Sequence, residues 1–280
     1  MPGRTWRLID TGPLDGASNM AIDEALLDSF DPERSTPVLR LYGWNPPALS
    51  FGRFQDAGKV LDLERCWAES VPVVRRITGG GVIYHADELT YAIVCAPRHL
   101  PGETTVKESF RYLTGFLLTF YRELGLPAAY AADVPEDMSR LGKRTPYCFA
   151  GRESYDILID GRKIGGNAQR RLRNAVFQHG SIPLLDRVAT GIGFLRERPA
   201  GLDRSVADLA MLGVDIPEEV LKKRLAAAFA GALGDTLVPS EMTAAERERA
   251  ACLTSGKRAA DNRNRNVPPE PGLRGDQPPR

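Results

Sequence analysis

The chain has 280 residues, 42% of them hydrophobic and 26% charged, a globular composition with material for one or two compact domains. Lys+Arg 37 against Asp+Glu 36 leaves a formal net charge of +1, so no global field drives it onto nucleic acid or an anionic membrane. The apolar runs, the longest near Gly115–Tyr121, fall short of the roughly 18 residues a membrane span needs, and the charged first ten residues offer no secretory signal, which makes the cytoplasm the expected compartment.

In chain order, Ser18 or Asn19 is expected to cap a helix from Met20 to about Phe30. Strands are predicted at Val38–Tyr42, Ala48–Phe51, Val71–Arg75, Val82–His85 and Thr90–Cys95, with Cys66 in a helix-like stretch between the second and third. Thr105-x-x-Glu108 reads as a capping box, and Val106, Phe110, Leu113, Leu117, Tyr121 and Leu124 recur at three- and four-residue intervals, as one packed helix face requires. Tyr130–Arg152 has neither period. Beyond it, Tyr155–Ile159 and Arg162–Ile164 flank Asp160-Gly161, a dipeptide suited to a tight hairpin. Val176–Ile182 is a further strand. A helix is expected from Pro217 through Leu221, Leu225 and Phe229, and another from Thr243-x-x-Glu246 to Leu253. Gly256–Arg280, with five prolines and three glycines, lacks the apolar surface to offset its own ordering and reads as a disordered tail. Strands in runs, with hairpins between them, predict an α+β layered fold with an antiparallel sheet and not a doubly wound one.

The four cysteines, Cys66, Cys95, Cys148 and Cys252, form no Cys-x-x-Cys, and no His stands at ligand spacing, so no metal is expected. Arg75-Arg76-Ile77-Thr78-Gly79-Gly80-Gly81 lies between two β-like runs. Its glycines let backbone N–H groups approach an anion or carbonyl and its arginines can supply charge, although a Gly-rich hairpin with solvated arginines explains the segment equally well. Lys163 ends a short strand before Gly165 and Gly166, where an ammonium can polarise a thioester carbonyl or neutralise an acyl-phosphate. Cys148 sits in the aperiodic stretch, where a thiol is more open to attack than Cys95 in its apolar run; Cys66 and Cys252 read as structural. His179 is a strand-end histidine that suits a core, orienting or base role.

Taken together, Arg75-Arg76-x-Thr78-Gly79-Gly80-Gly81 with His85, Lys163-Ile164-x-Gly166-Asn167-Ala168-Gln169-Arg170, and Gln178-His179-Gly180-Ser181 resemble the lipoate/octanoate transferase and ligase family, relatives of biotin protein ligases. The resemblance runs from about Trp6 to Leu253. It implies a mixed, largely antiparallel central sheet flanked by helices, in a catalytic domain over residues 1–254 followed by a Pro/Arg-rich tail at 255–280. An acyl chain would lie between the glycine loop and the lysine strand, contacted by Arg75, Arg76, Thr78, Gly79, Gly80, Gly81, His85, Gly166, Asn167, Ala168, His179 and Gly180.

Cys148-Phe149 followed by Ser154-Tyr155-Asp156, with Glu88-Leu89-Thr90-Tyr91 after His85, looks like the cysteine-dependent octanoyltransferase branch. That branch implies Cys148 as nucleophile, Lys163 as its electrostatic or base partner, octanoyl-acyl carrier protein as donor, and no cofactor. The acceptors would be lipoyl domains of 2-oxoacid dehydrogenases and the glycine cleavage H protein. A lipoate ligase working through lipoyl-AMP, with ATP and Mg²⁺, is the second expectation; a non-catalytic adaptor that docks lipoyl domains is the third.

Overall fold

The computed structural model describes residues 3–102, 105–135, 153–198 and 205–265, with side chains as far as 257. The chain opens on β1 (Thr5–Leu14) and turns directly into α1 (Gly16–Asp28). Asp15 caps that helix, its carboxylate accepting from Ser18 N at 3.0 Å and Ser18 Oγ at 2.8 Å. The cap expected at Ser18 or Asn19 is therefore displaced: an aspartate three residues earlier satisfies the first-turn donors, and Asn19 is drawn into the interior instead. There follow β2 (Val38–Trp44), β3 (Ala48–Phe51), the short helices α2 (Ala57–Val60) and α3 (Leu63–Ala68), then β4 (Val73–Arg75), β5 (Ile83–His85) and β6 (Glu88–Cys95). The helix α4 (Val106–Glu123) carries the expected capping box, with Thr105 N donating to Glu108 Oε2 at 2.8 Å and Glu108 N donating to Thr105 Oγ1 at 3.2 Å.

Past α4 come β7 (Ala129–Tyr130), β8 (Ile157–Ile159), β9 (Arg162–Ile164), β10 (Gly166–Arg171), β11 (Val176–Pro183), α5 (Val188–Gly193), β12 (Val206–Ala207), α6 (Glu218–Leu233), β13 (Thr236–Pro239) and α7 (Ala244–Arg265). Asp160 and Gly161 both have positive φ, 50° and 74°, as the tight β8–β9 hairpin requires.

The strands form three sheets, ordered β10-β11-β6-β2-β1-β13, β12-β9-β8-β7 and β4-β3-β5. The large sheet is antiparallel from β10 to β2, whereas β1 runs parallel to both β2 and β13. The fold is thus the mixed α+β arrangement expected. Both faces are covered, and period-two alternation sorts the side chains: Leu39, Leu41, Tyr91 and Ile93 pack with Leu113, Phe116, Phe120 and Phe229 of α4 and α6, while Val38, Tyr42, Ala92 and Val94 pack with Met20 and Leu26 of α1. A third cluster, including Leu49, Phe51, Cys66, Val73, Ile83 and Phe194, fills the space around the small β4-β3-β5 sheet.

The boundary expected at residue 254 falls inside a helix, because α7 continues through 256–265. It is pinned to α1 by Arg249–Asp28 at 2.6 Å and Lys257–Glu24 at 2.6 Å, polar contacts that a count of apolar residues cannot register. The rest of the expected tail, 266–280, lies outside the described residues. Among the described residues no helix is long and apolar enough to cross a membrane.

On the α1 face the alternation places Arg40 among apolar neighbours, and the guanidinium is fully engaged there. It donates to Asp23 Oδ1 at 2.7 Å, Asn19 Oδ1 at 2.7 Å, Asn19 O at 3.1 Å and Thr11 Oγ1 at 2.9 Å, and stacks 3.9 Å above the Tyr42 ring. The other carboxylate oxygen of Asp23 accepts from Tyr42 OH at 2.9 Å. Burial opposes the Asp23 charge, but Arg40 and His179 outweigh it and hold the carboxyl below its ordinary value. Asp23→Asn leaves Arg40 charged and uncompensated in the interior, and a loss of about 3–5 kcal/mol in urea denaturation is expected.

His99 gives a second prediction. It is buried beside Trp6 and Phe30, and burial, then Arg98 and Arg4, push its pKa down from 6.5 to about 4. Between those values only the unfolded chain takes up the proton, so stability should fall as pH drops from about 6.5 to about 4, by up to about 3 kcal/mol. Denaturant midpoints measured across that range should show the slope in the native chain, and His99→Gln should reduce it, leaving the share that His179 contributes in the same direction.

Candidate active site

The strands β11 and β6 pair through His179↔Ala92 and Gly180↔Tyr91, and β10 lies alongside with Ala168↔His179 and Asn167↔Gly180. Where this edge of the large sheet meets the β4-β3-β5 sheet there is a narrow cavity. It is lined by Met20, Tyr42, Trp44, Ser50, Arg76, Ile83, His85, Thr90, Gly166, Asn167, Ala168, His179, Gly180 and Ser181. Seven of the expected contact residues, Arg76, His85, Gly166, Asn167, Ala168, His179 and Gly180, meet on its wall.

The two arginines of the glycine motif have different places. Arg76 is 1% exposed, and its guanidinium donates to the carbonyls of Gly79, Gly81 and Ser50 and to Ser50 Oγ. It therefore ties the glycine loop to β3 through the loop's own backbone. Arg75 is exposed, donates to the carbonyls of Arg53 and Gln55, and lies over the Phe51 ring, and it is not part of the cavity wall. Gly79, Gly80 and Gly81 are not part of that wall. Thr78 is buried and bonds His179 Nε2 through Oγ1 at 2.7 Å.

Gly180 has to be glycine for a reason of space: a Cβ there would sit 2.0 Å from Asn167 Oδ1 and 2.7 Å from Tyr91 Cε1. Tyr91 OH donates to that same Asn167 Oδ1 at 2.8 Å, so the amide is fixed against the sheet beside the cavity. Gly180→Ala should displace Asn167 and narrow the cavity, lowering affinity for any ligand there more than stability; titration calorimetry beside thermal denaturation would separate the two.

His85 and His179 face the cavity in different settings. His85 Nδ1 is 2.7 Å from Glu88 Oε1 and its Nε2 is 2.7 Å from Ser50 Oγ, with the Trp44 ring stacked on it at 3.8 Å and 10°. The Nδ1 of His179 is 3.6 Å from Asp23 Oδ2, and burial holds this imidazole below its ordinary pKa although Asp23 opposes the shift. Ser50, Glu88 and Trp44 were not legible as a set, because each is on a different strand; Glu88 three residues after His85 is the one sequence signal for it.

Lys163 is 3% exposed and is held between strands, with β8 on one side and β12 on the other. Its Nζ lies 2.8 Å from Asp156 Oδ1, while Asp156 Oδ2 accepts from Glu153 N at 2.8 Å. Burial raises the Asp156 pKa, and Lys163 works against that shift. Lys163 is not on the cavity wall, but β9 leads through Gly165, at φ 74°, straight into Gly166 on that wall. Cys148 lies outside the described residues. Burial pushes the thiols of Cys66 and Cys95 up to about 12, which leaves both inert, and Cys252 is exposed. No group of three or more His, Cys, Asp or Glu suited to a metal ion occurs among the described residues.

This geometry has relatives. The chain is 38% identical over 276 residues to a protein named Octanoyltransferase LipM from Kyrpidia tusciae, covering 93% of this chain and 98% of that one. It is 38% identical over 270 residues to Octanoyltransferase LipM from Symbiobacterium thermophilum, covering 92% and 97%. In structure it superposes on lipoate-protein ligase A bound with ATP at a TM-score of 0.76, with 23% identity over 96% of this chain and 100% of that one, which is a likeness of fold. It also superposes at 0.74 on the bipartite lipoate protein ligase of Thermoplasma acidophilum, with 22% identity over 96% and 98%. The family model for the lipoyl protein ligase A/B catalytic domain matches residues 15–230, which include the whole cavity wall, and the chain belongs to that family.

Proposed function

We propose that this chain is an octanoyltransferase that moves octanoate from acyl carrier protein to the ε-amine of a lysine on lipoyl domains. The observation that carries the reading is the near end-to-end likeness to two proteins named Octanoyltransferase LipM. The acceptors would be the lipoyl domains of 2-oxoacid dehydrogenases and the glycine cleavage H protein, and the reaction needs no nucleotide.

In this reading the Cys148 thiolate attacks the donor thioester, forming a new C–S bond as the carrier's thiol departs. The acceptor amine then adds to the acyl-enzyme carbonyl, the Cys148 sulfur leaves, and the amine gives up its proton as the amide forms. Lys163 supports the step as a buried side chain held 2.8 Å from Asp156, and its ammonium would steady a developing oxyanion. The cavity under Arg76 would take the acyl chain, with Met20, Ile83 and Ala168 as its apolar wall.

Two measurements test this. Incubated with octanoyl carrier protein alone, the full chain should gain one octanoyl mass that neutral hydroxylamine removes, and Cys148→Ser should not acquire it. With apo lipoyl domain and no nucleotide, the acceptor should gain the octanoyl mass. Lys163→Ala should slow that transfer by roughly 10²–10³ without unfolding the chain. Transfer that depends strictly on ATP would replace the transferase by a ligase, and absence of any transfer, with or without ATP, would point to an adaptor.

A further inference from the structure

We propose that Ser50, His85 and Glu88 form a nucleophile–base–orienter triad, giving the cavity a serine-dependent activity that hydrolyses medium-chain acyl esters and thioesters. The activity is separate from any reaction at Cys148.

The argument starts from hydrogen-bond direction. Trp44 Nε1–H can only donate, and it donates to Thr90 Oγ1 at 2.9 Å, so the Thr90 hydroxyl proton goes to Glu88 Oε1 at 2.6 Å. The Glu88 carboxylate then accepts from His85 Nδ1–H at 2.7 Å. At the other end the Arg76 guanidinium, also a donor only, donates a hydrogen bond to Ser50 Oγ at 3.1 Å, so the serine's own O–H points to His85 Nε2 at 2.7 Å. Both ends of the chain are fixed by groups without acceptor capacity, and the imidazole is left in the tautomer that takes a proton from a hydroxyl. The Trp44 ring, stacked at 3.8 Å, holds it in that plane.

A second observation points to a ligand at the same place. Ser181 lines this cavity, is 4% exposed, and its hydroxyl has no hydrogen-bond partner among the described residues. A buried orphan hydroxyl is costly unless a ligand completes it, and an acyl carbonyl oxygen is an acceptor of the right kind. Ser50 is itself 0% exposed, so only a group that has entered the cavity can reach it. His179, the other cavity histidine, lacks this setting, because its carboxylate is 3.6 Å away and already engaged by Arg40 and Tyr42.

In the step itself, Ser50 Oγ bonds to the acyl carbon as its proton passes to His85 Nε2, and the unpartnered Ser181 hydroxyl donates to the carbonyl oxygen as negative charge builds on it. The C–S or C–O bond to the leaving group breaks, and the departing thiol or alcohol takes the proton from Nε2. Water attacks the acyl-serine by the same route, returning a proton to Oγ and releasing the carboxylic acid.

The test uses the full chain with its thiols alkylated by iodoacetamide, treated with an octyl fluorophosphonate, a probe that phosphonylates serines activated by a base. One adduct, mapped by peptide mass spectrometry to Ser50, is expected, together with loss of p-nitrophenyl octanoate hydrolysis. Glu88→Gln, which keeps an acceptor and nearly the same volume, should slow labelling roughly 100-fold with unchanged circular dichroism, and Ser50→Ala should abolish it. No adduct, an adduct on another residue, or unchanged labelling of Glu88→Gln would overturn the triad. Because mapping is done on the native chain, the result stands even if a variant fails to fold. Octanoyl transfer to a lipoyl domain, assayed on chain that has not been alkylated, is independent: transfer without phosphonylation sinks the triad alone, and phosphonylation without transfer sinks the transferase alone.

Discussion

The buried ion pair between Arg40 and Asp23 sets the conditions for everything around it. Its network takes in Thr11 of β1, Asn19 and Asp23 of α1, and Arg40 and Tyr42 of β2, so two neighbouring strands and the helix covering them are locked in one arrangement. Asp23 also faces His179 of β11, which bonds Thr78 of the glycine loop. The cavity wall is thereby referenced to the centre of the sheet. Such a pair contributes little net stability when intact, since desolvation of two charges offsets much of their attraction, but it admits only one geometry.

A second cation performs a similar task at the glycine loop. Arg76 bonds the carbonyls of Gly79 and Gly81 and also Ser50, so a loop with little side-chain packing of its own is held against β3. A paired-arginine, triple-glycine sequence suggests charge offered to a ligand. The structure gives Arg76 to the loop's own carbonyls and Arg75 to two carbonyls near β3's end, and it leaves the polar chemistry of the wall to Ser50, His85, His179 and Ser181. Type and spacing alone could not make that distinction, because a guanidinium that binds an anion and one that binds backbone read alike in one dimension.

Other parts of the fold were legible to different degrees for physical reasons. The α4 helix was plain because its cap and its apolar face are both local signals, and the β8–β9 hairpin because Asp160-Gly161 carries its own backbone preference. The strands β1 and β13 were not anticipated: β1 contains Gly12 and Pro13 and is held extended by its pairing with β2, and β13 is four residues at a sheet edge held by Thr5–Leu8 of β1. The motif Gly166–Arg171 was recognised for its residues but not as β10, since only its pairing with β11 makes it extended. For the candidate site, the segments containing Arg76, His85, Asn167 and His179 were each visible and Glu88 lies three residues beyond His85, whereas Ser50 reaches His85 only when β3 and β5 are brought side by side.

The pairing of β1 with β13 has a bearing on how the chain reaches its native state. Trp6 Nε1 donates to Asp235 at 2.8 Å across 229 positions of sequence, and Arg7 meets Glu246 of α7 at 2.7 Å. A nascent chain emerging from the ribosome has β1 long before β13 or α7 exists, so one edge of the first strand stays open until β13 has been made, and the α1 surface that α7 covers until synthesis has passed residue 257. Contacts of such span make folding slow relative to helical proteins of equal stability, and an unpaired strand edge is open to stray pairing while it waits.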